Sequence, residues 1–260
     1  MNYILQSLQN RSKYRAAAGY HMRQPFRGAE PERHGGMAVG LYLLNLEEAE
    51  LTGGLAGFLK RAEQRVDAVR YEKALKIGEP KSRAASLGAG LLLQRLARDC
   101  RDGICIEGLR KCFPEELLTE TEQLIPLHYR FGAHGKPEIE EFPLKFSISH
   151  SGSYVICAVS ERRIGADIQQ LKDTDSRKLA QRFFTESEYK ELEKCGESGR
   201  QRLFFEMWTR KEAYGKLTGE GVIPALKRET YEVCWADFPV PEGYALAVCT
   251  AEAVPCAEMG

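Results

Sequence analysis

The sequence of 260 residues has no net charge, since 37 Lys and Arg balance 37 Asp and Glu. Without a bulk positive field, a general nucleic-acid binder is excluded, although local basic clusters are not. No run approaches the roughly 18 apolar residues of a membrane helix; the most apolar stretch, Gly88 to Leu93, is too short. Nothing reads as a secretory signal, because Arg11, Lys13 and Arg15 follow the first apolar residues rather than precede an apolar region. The 8 cysteines form no Cys-x-x-Cys pair and no Cys/His group at zinc spacing. Free thiols in a reduced cytoplasm are therefore expected. Phosphate-loop signatures are missing too. There is no Gly-x-x-x-x-Gly-Lys-Ser/Thr, and Gly88-Ala89-Gly90 lacks the third glycine of a dinucleotide fingerprint.

What is present divides unevenly. Residues 1–36 are rich in Arg, poor in acid and without apolar period, so they read as a disordered extension. Met37 after them is either the true start or the end of a flexible arm. Beyond it strands and helices alternate. Gly40 to Leu46 is strand-like, and Leu51 to Leu75 is helical with one or two breaks. Ser82 is expected to cap a helix running to about Asp99. Strands are expected over Leu127–Phe131, Lys145–Ser149, Tyr154–Ser160 and Arg163–Gln169. Helices follow at 176–183, 186–195 and 200–217, the second opened by a capping box of Thr185 and Glu188. Strands at Tyr231–Trp235 and Tyr244–Thr250 close an α+β chain.

Four places carry candidate chemistry. Phe205, Trp208, Glu212 and Lys216 share one helical face, which turns two charges toward the core or a cleft. The pair is either an ordinary surface contact at i, i+4 or a buried pair that meets a ligand or metal. Asp167 interrupts the apolar strand Ile164-Gly165-Ala166-Asp167-Ile168-Gln169. It either ends the strand at a turn or serves as a Mg²⁺ ligand, a cation that takes one or two protein carboxylates plus phosphates and water. Ser149-His150-Ser151-Gly152 is a turn, an anion site or a Ser/His pair. Neighbouring strand residues point to opposite faces, which argues against a hydrolase built on that pair. Gly135-Lys136-Pro137 is a plain turn or a stiff loop presenting a lysine.

In order, Gly135-Lys136-Pro137, Phe146 to Gly152, Ile164 to Ile168, Arg182-Phe183-Phe184-Thr185 and Trp208 to Lys216 resemble the 4'-phosphopantetheinyl transferase superfamily, in its larger pseudo-dimeric, surfactin-synthetase-activating type. The resemblance is firm over about 130–220 and thinner over 37–129. It implies two similar α+β halves in a pseudo-twofold arrangement, 37–160 and 161–260, with the metal site on the second and coenzyme A between them. One chain then supplies both halves, so a monomer is the expected state.

The resemblance also implies Mg²⁺-dependent transfer of phosphopantetheine from coenzyme A to a serine of an acyl or peptidyl carrier protein. Asp167 and Glu212 would ligate the metal, Glu212 would also act as base, and Lys216 would meet the coenzyme A phosphates. Ser149 and His150 resemble residues holding the nucleotide, Gly135, Lys136 and Pro137 the adenine-side loop, and Arg83 an arginine at the 3'-phosphate. Gln169 stands where the family often has a third acid, so it would ligate weakly or through water. That departure leaves a coenzyme A-binding module without catalysis as the alternative. Arg177, Lys178 and Arg182 are either a docking face for an acidic carrier or a solvated helix face.

Overall fold

The computed structural model describes residues 38–48, 53–104, 106–119 and 123–252. The expected disordered extension and the choice of Met37 as a start lie outside these. The element order is β1 (Gly40–Asn45), α1 (Gly54–Ala62), α2 (Ala68–Leu75), α3 (Pro80–Arg101), β2 (Gly108–Cys112), α4 (Pro114–Thr119), β3 (Tyr129–Phe131), β4 (Pro137–Ile139), β5 (Lys145–Ser151), β6 (Tyr154–Ser160), β7 (Ile164–Gln170), α5 (Ser176–Phe183), α6 (Glu186–Lys194), α7 (Glu197–Thr218), α8 (Ile223–Leu226), β8 (Val233–Ala236) and β9 (Tyr244–Ala251). The α+β class holds.

β1 and β6 are apolar runs buried along nearly their whole length, as interior strands are. They lie inside a four-stranded sheet ordered β2-β1-β6-β5, in which β1 and β2 run parallel. Helix α3 covers one face of this sheet. Gly88 lets it approach so closely that a Cβ there would stand 3.1 Å from Leu44 and 3.2 Å from Val155. The other face packs Leu41, Leu43, Ile156 and Ala158 against Ile164, Ala166 and Ile168 of a second sheet, ordered β7-β9-β8. Helix α7 lies on the far side of that second sheet. All of this belongs to one compact unit over residues 37–260.

Of the expectations about these helices, the break before Leu75 is found and the start of α3 is corrected. The stretch to Leu75 splits into α1 and α2, and Asp67 caps α2 by accepting from Arg70 N at 3.1 Å. The N-cap of α3 is Glu79 rather than Ser82. Its carboxylate accepts from Lys81 N and Ser82 N at 2.9 and 2.6 Å, and Pro80 fills the first helical position, where a missing N–H costs nothing. The Thr185–Glu188 capping box forms as expected.

The position of α7 is set by contact with backbone. A Cβ on Gly165 of β7 would collide with Ala213 O and would stand 2.5 Å from Leu217 N. A Cβ on Gly215 would collide with Gly221 O. Helix and strand thus touch main chain to main chain, and side chains flanking these glycines are brought within reach of each other.

Candidate active site

Along β7, Ile164, Ala166 and Ile168 enter the apolar contact between the sheets, so Gly165, Asp167 and Gln169 face α7. Asp167 is 2 % exposed. On α7, Phe205, Trp208 and Glu212 are buried and Lys216 is half-buried, as their spacing predicts. Asp167 is held by three donors. Lys216 Nζ and Ser149 Oγ each lie 2.6 Å from Oδ1, and Gln169 Nε2 lies 2.9 Å from Oδ2. Burial raises the Glu212 carboxyl to about 7; the charge of Asp167 adds to this and Lys216 opposes it. The lysine at i+4 from Glu212 therefore forms its salt bridge with the strand acid across the α7–β7 contact.

Beside this group lies a cavity of about 290 Å³. It is lined by Arg70 and Lys73 of α2, by His134, Gly135, Lys136 and Pro137 of the β3–β4 turn, by His150, and by Gly215, Lys216, Gly219 and Gly221 at the end of α7. Ile77, Ala89, Phe146 and Ile148 give it an apolar wall. No Asp or Glu is among the described residues that line it. Arg70 Nε and Ser86 Oγ, on lining residues, are buried and have no hydrogen-bond partner. Such a wall suits a ligand with phosphate oxygens and an apolar ring. His150 is exposed and opens into the cavity, where the surrounding walls and cations act on its imidazole. Its pKa is pushed down to about 4, first by desolvation and then by Lys216, Lys73 and Arg70.

Gly135, Lys136, Pro137, His150 and Lys216 thus meet around one cavity; Asp167 is bonded to Lys216 at its edge, and Glu212 is near enough to feel the charge of Asp167. Other expected site residues are placed differently. Arg83 does not line the cavity; its Nε turns back to Ile77 O at 3.0 Å, because α3 begins at Pro80 and Arg83 sits a full turn inside it. The Ser149 hydroxyl is committed to Asp167 and Ile168 N. Adjacent His150 faces the cavity, so the two form no Ser/His pair. Lys136 is turned inward rather than presented. Its Nζ donates to Ile164 O at 3.0 Å and Leu217 O at 3.5 Å, and burial lowers its pKa to about 8. Gln169, expected as a weak ligand, directs its amide nitrogen at Asp167.

Arg177 pairs with Glu193 and Lys178 with Asp175, while Arg182 lies over the Phe183 ring at 5.1 Å, which favours a solvated helix face. The sequence reading missed Arg70 and Lys73. The signal was available. Arg70 and Ala74 are the buried i, i+4 pair of α2, and a guanidinium on that buried face is as anomalous as Glu212 on its own helix.

Among the described residues, no three His, Cys, Asp or Glu side chains gather to hold a metal. A buried acid pair beside a phosphate-sized basic cavity still fits Mg²⁺, which binds one or two carboxylates and draws its other oxygens from phosphate and water. The described cysteines are free, and no described helix is long and apolar enough to cross a membrane.

Fold and site together define an α+β protein with an acid pair at one end of a basic cavity. The sequence profile of the 4'-phosphopantetheinyl transferase superfamily matches residues 163–249. The chain is 36% identical over 114 residues to 4'-phosphopantetheinyl transferase gsp of Aneurinibacillus migulanus, covering 44% of this chain and 46% of that one. It is 32% identical over 136 residues to 4'-phosphopantetheinyl transferase Sfp of Bacillus subtilis strain 168, covering 45% and 60%. It is 32% identical over 155 residues to 4'-phosphopantetheinyl transferase ffp of Bacillus subtilis, covering 52% and 69%. The matched part thus spans less than half the length of gsp and about two thirds of ffp. The chain belongs to the 4'-phosphopantetheinyl transferase superfamily.

Proposed function

We propose that this protein transfers 4'-phosphopantetheine from coenzyme A to a serine of an acyl or peptidyl carrier protein. The observation that carries the reading is the double role of Lys216, which lines the basic cavity and stands 2.6 Å from Asp167. A nucleotide in the cavity would therefore have its pyrophosphate beside the acid pair. Arg70, Lys73 and His150 would take the remaining phosphate charge, and the apolar wall with the Gly135–Pro137 turn would take the adenine.

Mg²⁺ held by Asp167 and Glu212 would neutralise charge on the pyrophosphate. The serine oxygen of the carrier forms a bond to the phosphorus bearing the pantetheine arm. The bond from that phosphorus to the bridging oxygen breaks, and adenosine 3',5'-bisphosphate leaves. Glu212 would accept the serine proton, and Lys216 would offset charge on the departing phosphate. Such a transfer asks the protein mainly for positioning and charge.

The same proposal takes 37–160 and 161–260 as the two halves, each a sheet with a 22-residue helix on it, α3 and α7. It also takes the protein as a monomer in the cytoplasm. Incubation with coenzyme A, Mg²⁺ and an apo carrier should add one phosphopantetheine, read by mass spectrometry. Asp167→Ala and Glu212→Ala should each lower the rate by at least about 10²-fold while staying folded. Coenzyme A bound without transfer to any apo carrier in a broad panel would leave the binding-module reading in its place.

A further inference from the structure

Strands β5 and β7 meet along an edge where side chains replace a backbone ladder. The N–H groups of Ala166 and Gln170 donate to Ser147 Oγ and Ser151 Oγ, each at 3.0 Å. Between them Ile168 N donates to Ser149 Oγ at 3.4 Å. A serine hydroxyl can accept one bond and donate another. At Ser149 the donated bond goes to Asp167 Oδ1, at 2.6 Å. Ser149 is 6 % exposed, so its hydroxyl is held inside the seam between the two sheets.

We infer that Ser149 is a positioning residue for the metal site: it fixes the Asp167 carboxylate against the β7 backbone and touches neither nucleotide nor metal. The inference rests on the proposed metal-dependent transfer. Asp167 and Ser149 come from different sheets, so this bond also sets the acid relative to the cavity wall that the β5 side carries. Lys216 reaches the same oxygen from a long, half-exposed side chain, and Gln169 reaches Oδ2 from the same strand as the acid. Ser149 is the short, buried contact among the three. Partners of this kind are worth about 10–100-fold in metal affinity.

The test uses Mn²⁺ as probe, with free ion counted by electron paramagnetic resonance, on the full chain with coenzyme A present. Coenzyme A affinity is measured separately by calorimetry without metal. Ser149→Ala should weaken Mn²⁺ by about tenfold or more and leave coenzyme A affinity within about twofold. Ser151→Ala removes the same kind of seam bond without an acid partner and should leave both within about twofold. Should Ser149→Ala not fold, Ser149→Cys, close in size with a weak donor, reads the same affinity in the same direction. Unchanged Mn²⁺ binding in the Ser149 variant, or a loss confined to coenzyme A, overturns the inference while the proposed function stands. A wild-type chain that binds no Mn²⁺ overturns both.

Discussion

At the residue scale the site works by placing charges where burial alone would forbid them. Asp167 is stabilised by Lys216, Ser149 and Gln169 together, whereas Glu212 answers burial with a raised pKa. His150 reports on the cavity. Its pKa of about 4 is below the ordinary 6.5, so protonation favours the unfolded chain, and this residue's contribution to stability falls as pH drops from 6.5 toward 4. A bound phosphate would cancel the repulsion from Lys216, Lys73 and Arg70. Coenzyme A should therefore raise the His150 pKa by about one unit or more, measured by NMR titration of the imidazole. No change on saturation would place the ligand elsewhere. Asp167, Glu212 and Lys216 were legible in the sequence because each breaks a burial pattern that its own element sets. Ser149's partner was not, since its bond to Asp167 crosses between strands of different sheets, and no periodicity encodes such a contact.

At the scale of elements, the site depends on α7 lying hard against β7. Gly165→Ala should force helix and strand apart, costing about 1–3 kcal/mol in a denaturant melt and most of the transfer activity. Wild-type stability and rate would mean that the contact can relax. Thr185→Ala, which removes a capping-box hydroxyl on α6, should cost about 1 kcal/mol of stability. Its effect on transfer should be small, because Thr185 touches neither acid nor cavity. The helices and central strands were readable from apolar spacing. The start of α3 differs from the expected serine cap because a Glu-Pro start competes with it; Arg83, expected at the 3'-phosphate from the resemblance alone, does not line the cavity, whereas Arg70 and Lys73 do. Strand β2 escaped notice because Gly108 to Cys112 is short and half-charged, and it is recruited by parallel pairing with β1 rather than by its own pattern.

Across the molecule, the cavity is assembled from distant segments that carry little binding signal separately. Lys136 ties the β3–β4 turn to the first carbonyl of β7 and to a carbonyl in the last turn of α7, where the helix dipole favours a cation. Lys136→Met should weaken coenzyme A binding about tenfold, equivalent to about 1.4 kcal/mol, by releasing the turn. Unchanged affinity in calorimetry would make the tether dispensable. The central claim is that the carboxylates of Asp167 and Glu212 share one divalent cation beside a bound pyrophosphate. Anomalous diffraction from crystals grown with coenzyme A and Mn²⁺ tests it directly. The account predicts one metal peak about 2.1 Å from an oxygen of each carboxylate and in contact with the pyrophosphate. A peak that touches neither acid, or a nucleotide whose pyrophosphate lies away from Lys216, would contradict it.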